Sequence, residues 1–269
     1  MATAFSEIST TQLMRLLGTP DAPILIDVIT DEDFTLDPRL IPSARRHPHH
    51  QLDQLLPELT GHRTVVICQK GKKLSHGAAA LLRNHGIAAE VLAGGNLAWR
   101  DAGLPLVPVA SLPEPHSGGL WVTRHRPKID RIACPWLIRR FVDPKAQFLF
   151  VPPAEVVAVA EKFNATPFDI ENTFWSHRGP LCSFDVMVEE FCLTTPALAR
   201  LATVIRAADT NSPELAPQAA GLLALSVGLS RQYKNDMDQL EAAMPLYDAF
   251  YRWARDGYDE GHDWPAVKQ

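Results

Sequence analysis

The first third of the chain alternates short apolar runs with amphipathic stretches. Apolar or β-branched runs at 23–28, 64–68 and 88–92 predict buried strands, and the Ala/Leu-rich stretch 75–85 predicts a helix. Strands that alternate with helices pair as a parallel sheet through right-handed crossovers. The pattern therefore predicts an N-terminal α/β domain.

Beyond residue 119 the pattern becomes mainly helical. Predicted strands lie at 120–123 and 147–151, and predicted helices lie at 130–141, 153–163, 196–208, 214–235 and 237–257. Thr195 followed by Pro196 is typical of an N-cap and a first helical residue. In the middle long helix we expect one apolar face formed by Leu215, Leu222, Leu225 and Leu229. The second half is thus predicted to be α+β.

A stretch rich in Pro, Gly and Ser separates these halves. It reads PLVPVASLPEPHSGG over 105–119, a composition that does not sustain a regular element. The predicted organisation is an α/β domain at 1–107, a linker at 108–118 and an α+β, mainly helical domain at 119–269.

The composition is typical of a globular protein, with 46% hydrophobic and 21% charged residues. No run approaches the ~20 apolar residues of a membrane span, and the N-terminus has no signal-peptide pattern, so we expect a cytoplasmic protein without a membrane partner. The net charge of −5 argues against a nucleic-acid partner. None of these features indicates an oligomeric state.

Cys68 follows a predicted strand and begins a loop that leads into a helix. A sulfur atom at this place faces the backbone N–H groups of the helix's first turn, which favour an anion. Lys70, Lys72 and Lys73 add positive charge, and Gly71 permits a tight loop. These features favour a reactive thiolate. The alternative is an inert cysteine buried at a strand end.

Two segments resemble the two halves of a rhodanese domain. The second half is marked by the six-residue loop 68–73, the Gly94-Gly95 turn, Trp99 and the AGLP ending at 102–105. The first half is marked by LIDVITDEDF, which contains Asp27, and by LIPSA at 40–44. The resemblance covers nearly all of 5–107. It implies a rhodanese-like α/β fold, a parallel sheet with helices on both faces.

The rhodanese resemblance also implies a sulfurtransferase activity that requires no cofactor. Cys68 would accept sulfane sulfur from a small anionic donor as a persulfide and pass it to a thiol or cyanide. The residues implied to bind the donor are Asp27, Gln69, Lys70, Gly71, Lys72 and Lys73. Lys70 matches the lysine of thiosulfate-preferring members, so thiosulfate is the implied donor. The sequence departs from the family pattern at Ile29, Gln69 and Leu74.

Three histidines follow the LIPSA segment: His47, His49 and His50. They are compatible with a metal or proton-transfer cluster. A solvated loop is the commoner fate of a short His-rich tract. In rhodanese-like folds this segment runs near the active-site loop, so we expect one imidazole to approach it.

A basic stretch opens the second domain, WVTRHRPKIDRIACPWLIRRFVDP. One interpretation is an oxyanion site for chromate or a sulfate-like dianion, because arginine forks suit such ions. Its candidate donors are Arg124, Arg131 and Arg139, with Cys134 or Cys182 as a reducing or reporting thiol. The alternative is a solvated basic face paired with acidic residues.

A second hypothesis for this domain is a metal ion held by His177, Asp185 and Asp209. One imidazole with carboxylates suits iron, manganese or zinc. A structural histidine is the alternative.

The basic stretch, together with HRGPLCSFD at 177–185 and RAADT at 206–210, resembles the C-terminal domain of ChrB-type chromate-resistance proteins. That resemblance covers about 119–258. A rhodanese domain followed by this one is similar to sulfurtransferase/chromate-resistance fusions. Two functions follow as hypotheses. One is a sulfurtransferase enzyme, and the other is an oxyanion or redox sensor of a chromate response with little turnover.

Overall fold

Buried aliphatic runs form the sheet of the N-terminal domain in the computed structural model, which describes residues 7–261. The strands of this domain are β1 (Glu7–Ile8), β2 (Ile24–Asp27), β3 (Arg39–Leu40), β4 (Arg45–Arg46), β5 (Arg63–Ile67), β6 (Ala88–Leu92) and β7 (Val107–Pro108). Five of them pair in parallel in the order β1-β6-β5-β2-β4, and β3 pairs antiparallel with β7. The predicted parallel sheet is confirmed.

Helices cover both faces of this sheet. They are α1 (Thr10–Leu16), α2 (Asp31–Thr35), α3 (Leu56–Leu59), α4 (Lys73–Asn84) and α5 (Gly95–Asp101). Successive strand residues point to opposite faces, so Val66 packs in the cluster that contains Ala79 and Leu82 of α4. Its neighbour Val65 packs on the other face with Leu13 of α1 and Trp99 of α5.

The second domain has a small parallel sheet followed by a helical region. Its strands are β8 (Leu120–Arg124), β9 (Gln147–Val151) and β10 (Thr166–Pro167), in the order β10-β8-β9. Its helices are α6 (Asp130–Leu137), α7 (Val156–Phe163), α8 (Ser183–Glu190), α9 (Pro196–Asp209), α10 (Ala219–Gln232) and α11 (Asp236–Asp256), and a π-helical turn, Ile138–Val142, extends α6. The predicted helical C-terminal region is confirmed.

An aromatic core joins these helices. Trp136 of α6 is fully buried and lies against Phe184 of α8 and Tyr247 and Tyr251 of α11. Among the described residues, no helix combines the length and the apolar character that crossing a bilayer requires.

The predicted leucine face of the middle long helix is wrong. Leu222 is buried, but Leu215 lies before α10 in a short 3₁₀ turn and is exposed, as is Leu225. The buried side of α10 instead carries small residues, including Ser226 and Ser230. Small side chains let α10 pack closely on α9 and α11, which the spacing of leucines alone does not indicate.

The start of the predicted linker packs on the first domain. Pro108 of β7 pairs with Arg39 of β3, and the Val109 amide donates to the Pro38 carbonyl. The two domains also touch directly. The Ser43 amide donates to the carbonyl oxygen of Phe141 at 2.7 Å.

Candidate functional site

Cys68 is the first residue after the central strand β5, at the start of the loop that leads into α4. Its Sγ accepts a hydrogen bond from the Lys72 amide at 3.4 Å and lies 3.1 Å from the Ser75 hydroxyl oxygen. The residue is 5% exposed. The sulfur therefore lies at the N-terminal end of α4 among polar groups, as the sequence predicts, and is nearly enclosed.

Glycines allow the loop to pack against the turn before α5. Gly71 has φ +61, and a Cβ there would lie 2.6 Å from the Gly94 amide nitrogen. Gly95 has φ +62, and a Cβ there would lie 2.1 Å from the carbonyl oxygen of Cys68. Neither position has room for a side chain, so the GG turn of the sequence is part of the wall of the cysteine loop.

The N-terminal end of α5 also holds the loop through its backbone. The Asn96 amide donates to the Cys68 carbonyl and the Leu97 amide donates to the Gln69 carbonyl, each at 3.0 Å. These two carbonyls bond α5, whereas the Lys72 amide of the same loop bonds the sulfur.

The loop's charged side chains lie at the protein surface. Lys70, Lys72 and Lys73 are exposed. Gln69 is half-buried, and its side-chain amide nitrogen lies 3.1 Å from both carboxylate oxygens of Asp33. The lysines thus place positive charge at the surface of the loop, while the Gln69 side chain contacts Asp33.

Asp27 ends β2 and pairs in register with Ile67, which places it beside the cysteine loop. Its Oδ1 accepts the Ile29 amide at 2.8 Å, and burial raises the pKa of its carboxyl to about 6. The nearby Arg46 guanidinium donates to the Ile29 carbonyl at 2.9 Å. Asp27 therefore shapes the turn after β2, and an arginine from β4 approaches this turn.

The histidine run lies next to this turn, whereas the expected approach of one imidazole to the cysteine loop is not among its contacts within residues 7–261. The His47 amide donates to the Asp27 carbonyl at 2.9 Å, and its imidazole Nε2 lies 2.8 Å from the Gln51 carbonyl oxygen. His49 and His50 are exposed. Within residues 7–261 the three imidazoles do not converge on one point. They line a cavity of about 310 Å³ beside the turn after β2.

His177 lies among three carboxylates in the second domain. Its Nε2 is 3.5 Å from Asp130 Oδ2, 3.5 Å from Asp169 Oδ1 and 3.2 Å from Asp209 Oδ2. We call these four residues the His177 cluster. Asp130 begins α6, Asp209 ends α9, and the other two lie in the loop between β10 and α8. Asp130, followed by Asp169 and Asp209, raises the pKa of His177 to about 12.

Asp185 lies outside this cluster, which corrects the predicted trio of His177, Asp185 and Asp209. Its carboxylate accepts the Cys182 amide at 3.0 Å and pairs with Arg206 at 2.7 Å. Asp130 is one of the carboxylates that takes its place. The sequence indicates Asp130 only as a helix start, because its nearness to His177 arises from packing.

The three arginines of the predicted oxyanion site do not share one pocket. Arg124 and Arg131 both pair with Asp169, at 2.9 and 3.2 Å. Arg139 instead pairs with Glu241 at 2.6 Å. The candidate arginines of the basic stretch are therefore paired with acidic residues. This arrangement agrees with the alternative to an oxyanion site, a basic face that pairs with acidic residues.

The two candidate thiols of this domain are both fully buried. Burial raises the pKa of the Cys134 thiol well above its usual range, and burial also raises the pKa of Cys182. Neither thiol is placed to meet an ion from solvent.

A cavity of about 170 Å³ lies between the two domains. Arg45 and Glu58 of the first domain line it, together with Arg139 and Lys145 of the second. Glu58 accepts Arg45 and Lys145, which lowers the pKa of its carboxyl although burial acts to raise it. Nε and Nη2 of Arg45 are buried without a hydrogen-bond partner.

The N-terminal architecture defines the class of this domain. A parallel sheet covered on both faces carries a cysteine after its central strand, in a five-residue loop (68–72) at a helix N-terminus. This combination is that of a rhodanese-like domain.

Comparisons with known proteins identify relatives for both halves of the chain. A sulfurtransferase of Allochromatium vinosum is 32% identical over 104 residues, 38% of this chain and 94% of that protein. The family model described as "ChrB, C-terminal domain" matches residues 121–254. The chain belongs to the rhodanese-like sulfurtransferase family and carries a ChrB C-terminal domain.

Longer relatives extend beyond the matched region. Protein ChrB of Cupriavidus metallidurans is 31% identical over 177 residues, 60% of this chain and 53% of that protein. An uncharacterised Synechocystis protein is 34% identical over 105 residues, 37% of this chain and 55% of its own length. The chain thus spans about half the length of these two relatives.

Solved structures also resemble the N-terminal domain. A rhodanese-like protein of Staphylococcus aureus is 26% identical with a TM-score of 0.32, and covers 35% of this chain and 90% of that one. A thiosulfate sulfurtransferase of Pseudomonas aeruginosa is 29% identical with a TM-score of 0.35, and covers 40% of this chain and 20% of that one. The family assignment rests on the sequence relatives and the strand order rather than on these scores.

Proposed function

We propose that this protein transfers sulfane sulfur from thiosulfate through a persulfide on Cys68 to a thiol or cyanide, in association with chromate resistance. The observation that supports this most is the position of the Cys68 Sγ, which accepts the Lys72 amide at the N-terminal end of α4. This amide donor and the helix dipole stabilise an anion there, both on the sulfur that attacks and on the outer persulfide sulfur.

In the first half-reaction the Cys68 thiolate attacks the outer sulfur of thiosulfate. A sulfur–sulfur bond forms to Cys68, and the bond between the sulfane and sulfonate sulfurs breaks. Sulfite leaves with the electron pair of that bond. The exposed Lys70, Lys72 and Lys73 attract the dianionic donor to the loop.

In the second half-reaction cyanide or a thiolate attacks the outer sulfur of the persulfide. The bond between that sulfur and Cys68 breaks, and its electron pair returns to Cys68 as a thiolate. The product is thiocyanate or a new persulfide. The Ser75 hydroxyl donates to the Lys72 carbonyl at 3.1 Å and lies 3.1 Å from Sγ, so its proton must turn from that carbonyl to donate to the departing thiolate.

The test is thiocyanate formation from thiosulfate and cyanide by the full-length protein. We expect Cys68→Ser to abolish turnover, because serine provides no sulfur nucleophile. Cys192→Ser is the matched control, since Cys192 is an exposed cysteine outside the loop, and it should retain wild-type turnover. Mass spectrometry after thiosulfate treatment should show one added sulfur atom on wild type and none on Cys68→Ser.

Two results would overturn the proposal. One is equal turnover by wild type and Cys68→Ser. The other is a wild-type protein that forms neither thiocyanate nor a Cys68 persulfide. A persulfide without thiocyanate would retain the first half-reaction and reject cyanide as the acceptor.

A second candidate function is sensing of an oxyanion, and the cavity between the domains favours it. The unpartnered Nε and Nη2 of Arg45 provide two donors beside Arg139 and Lys145. A chromate or sulfate-like ion bound there would contact both domains at once. Calorimetric titration with sulfate or chromate tests this. We expect saturable binding by wild type and about tenfold weaker binding by Arg45→Met, because one charge-assisted contact is lost. Equal binding by both proteins would reject this cavity as the site.

A further inference from the structure

The structure assigns a second site to the ChrB C-terminal domain. We propose that Asp130, His177 and Asp209 bind a divalent first-row transition-metal ion, such as Mn²⁺, Fe²⁺ or Zn²⁺. One ligand atom from each of these residues lies within 4.8 Å of the other two. An ion about 2.1 Å from each ligand holds its ligands about 3 to 4 Å apart, so a small movement of side chains completes the site.

An unsatisfied buried carboxylate oxygen provides independent support. Asp130 is fully buried, and its Oδ1 has no hydrogen-bond partner. Its Oδ2 accepts the Ser183 amide at 2.6 Å, which fixes the orientation of the carboxylate. A buried carboxylate oxygen without a hydrogen-bond partner is costly, and coordination to a cation is one way to satisfy it.

Hydrogen bonds and ion pairs around the His177 cluster hold its carboxylates in position. Asp169 of the His177 cluster accepts the Ser183 hydroxyl at 3.1 Å and pairs with Arg124 and Arg131. It therefore acts as an anchor that holds its neighbours in position. Carboxylates in this outer position commonly orient metal ligands.

A metal ion at the cluster would replace the proton on His177. Asp169 pairs with the guanidinium groups of Arg124 and Arg131, and the His177 imidazole, whose pKa is about 12, carries a proton among the three carboxylates. The group is then neutral, and a divalent ion that displaces the imidazole proton brings it to one positive charge. An anionic ligand from solvent, such as hydroxide or an oxyanion, would then neutralise the site.

The donor set selects the class of metal. One imidazole with carboxylates suits manganese, iron and zinc, whereas copper(I) prefers thiolates. Cys134 and Cys182 are buried and do not belong to the group of ligand atoms. Three protein ligands leave coordination positions open, as in catalytic rather than structural metal sites. His177 is 40% exposed and provides a path from solvent.

Metal analysis and titration of the full-length protein test the proposal. We expect about one equivalent of metal in the protein as isolated, or after loading with Mn²⁺ or Zn²⁺ followed by gel filtration. His177→Ala should weaken binding by about 100-fold or more, because a direct ligand is removed. Asp209→Asn should weaken it as well, with an amide of nearly the same shape.

His116→Ala is the matched control. His116 is 38% exposed and pairs with a single carboxylate, that of Glu114 at 2.8 Å, so its loss should leave metal binding unchanged. Cys68→Ser should also bind metal normally, because the site lies in the other domain. That variant separates this proposal from the proposed sulfur transfer.

The proposal is overturned if neither the isolated protein nor the loaded protein retains Mn²⁺, Fe²⁺ or Zn²⁺ in stoichiometric amount. It is also overturned if His177→Ala and Asp209→Asn bind metal as tightly as His116→Ala. Circular dichroism of the variants identifies any loss of metal binding that comes from unfolding. If one of His177→Ala and Asp209→Asn is unfolded, the metal affinity of the other one tests the proposal.

Discussion

Gly95→Ala tests whether the GG turn forms the wall of the cysteine loop. The new methyl carbon would lie 2.1 Å from the Cys68 carbonyl oxygen and 2.4 Å from the Gly71 amide nitrogen. Both neighbours are backbone atoms of the loop, so they cannot move aside as a flexible side chain does. The substitution must displace the segment that carries the sulfur.

Gly86→Ala separates this contact from simple backbone strain. Gly86 has φ +77, close to the φ of +62 at Gly95, but a Cβ at Gly86 meets nothing within 4 Å. Both substitutions incur about 1–2 kcal/mol for a left-handed residue. Gly95→Ala adds about 1–3 kcal/mol of overpacking. We therefore expect it to be about 1–3 kcal/mol less stable than Gly86→Ala.

Urea unfolding and thiocyanate formation measure the two effects. Gly86→Ala should keep near wild-type turnover in spite of its lower stability, because position 86 lies at the far end of α4. Gly95→Ala should lose at least tenfold in kcat/KM under conditions where it remains folded, because the Lys72 amide no longer faces the sulfur. If the two variants match in stability and turnover, the inferred packing of the loop is wrong.

Three further predictions follow from single contacts. Ser75→Ala should lower kcat/KM about tenfold by removing the hydroxyl that can turn from the Lys72 carbonyl to the sulfur, and an unchanged pH–rate profile and rate would contradict that role. Asp27 has a folded pKa of about 6 against 3.8 unfolded, so the folded state holds its proton more tightly and the contribution of Asp27 to wild-type stability should fall by about 2 kcal/mol as pH rises from 4 to 7. When the free energy of unfolding in urea is measured at several pH values, Asp27→Asn should lack this part of the pH dependence. The same pH dependence in both proteins would refute the assignment of the raised pKa to Asp27. Asp248→Ala should cost about 3–5 kcal/mol of unfolding free energy, since Asp248 is buried and binds both Arg140 and the Trp136 indole, and a loss below about 1 kcal/mol would argue against this network.

The rhodanese-like half was largely predictable because its parts are local in sequence. The strand, the cysteine loop and the following helix are consecutive, so Cys68 and the lysines could be placed from one segment. The strand at 147–151 and the cap at Thr195 were also predicted as they occur. The leucine face of α10 was not, because a leucine spacing does not reveal which side of a helix its neighbours cover.

The His177 cluster shows the opposite case. Its members lie at positions 130, 169, 177 and 209, on a helix start, a loop and a helix end. The sequence indicated His177 and Asp209 as metal ligands but chose Asp185 as the third, which the structure instead pairs with Arg206. Nothing in the spacing of carboxylates distinguishes the one that approaches an imidazole from the one that pairs with an arginine.

The sequence by itself determined the parallel α/β class of the first half and the position of Cys68 in the loop between a strand and a helix, because hydrophobic periodicity and short-range backbone geometry act within one βα unit. Only the tertiary structure decided which carboxylates surround His177, that the arginines of the basic stretch are paired with acids, and that Arg45 keeps unpartnered donors between the domains. These features depend on contacts between residues tens of positions apart. They arise when helices and loops pack to bury apolar surface, and that packing sets the distances between charges.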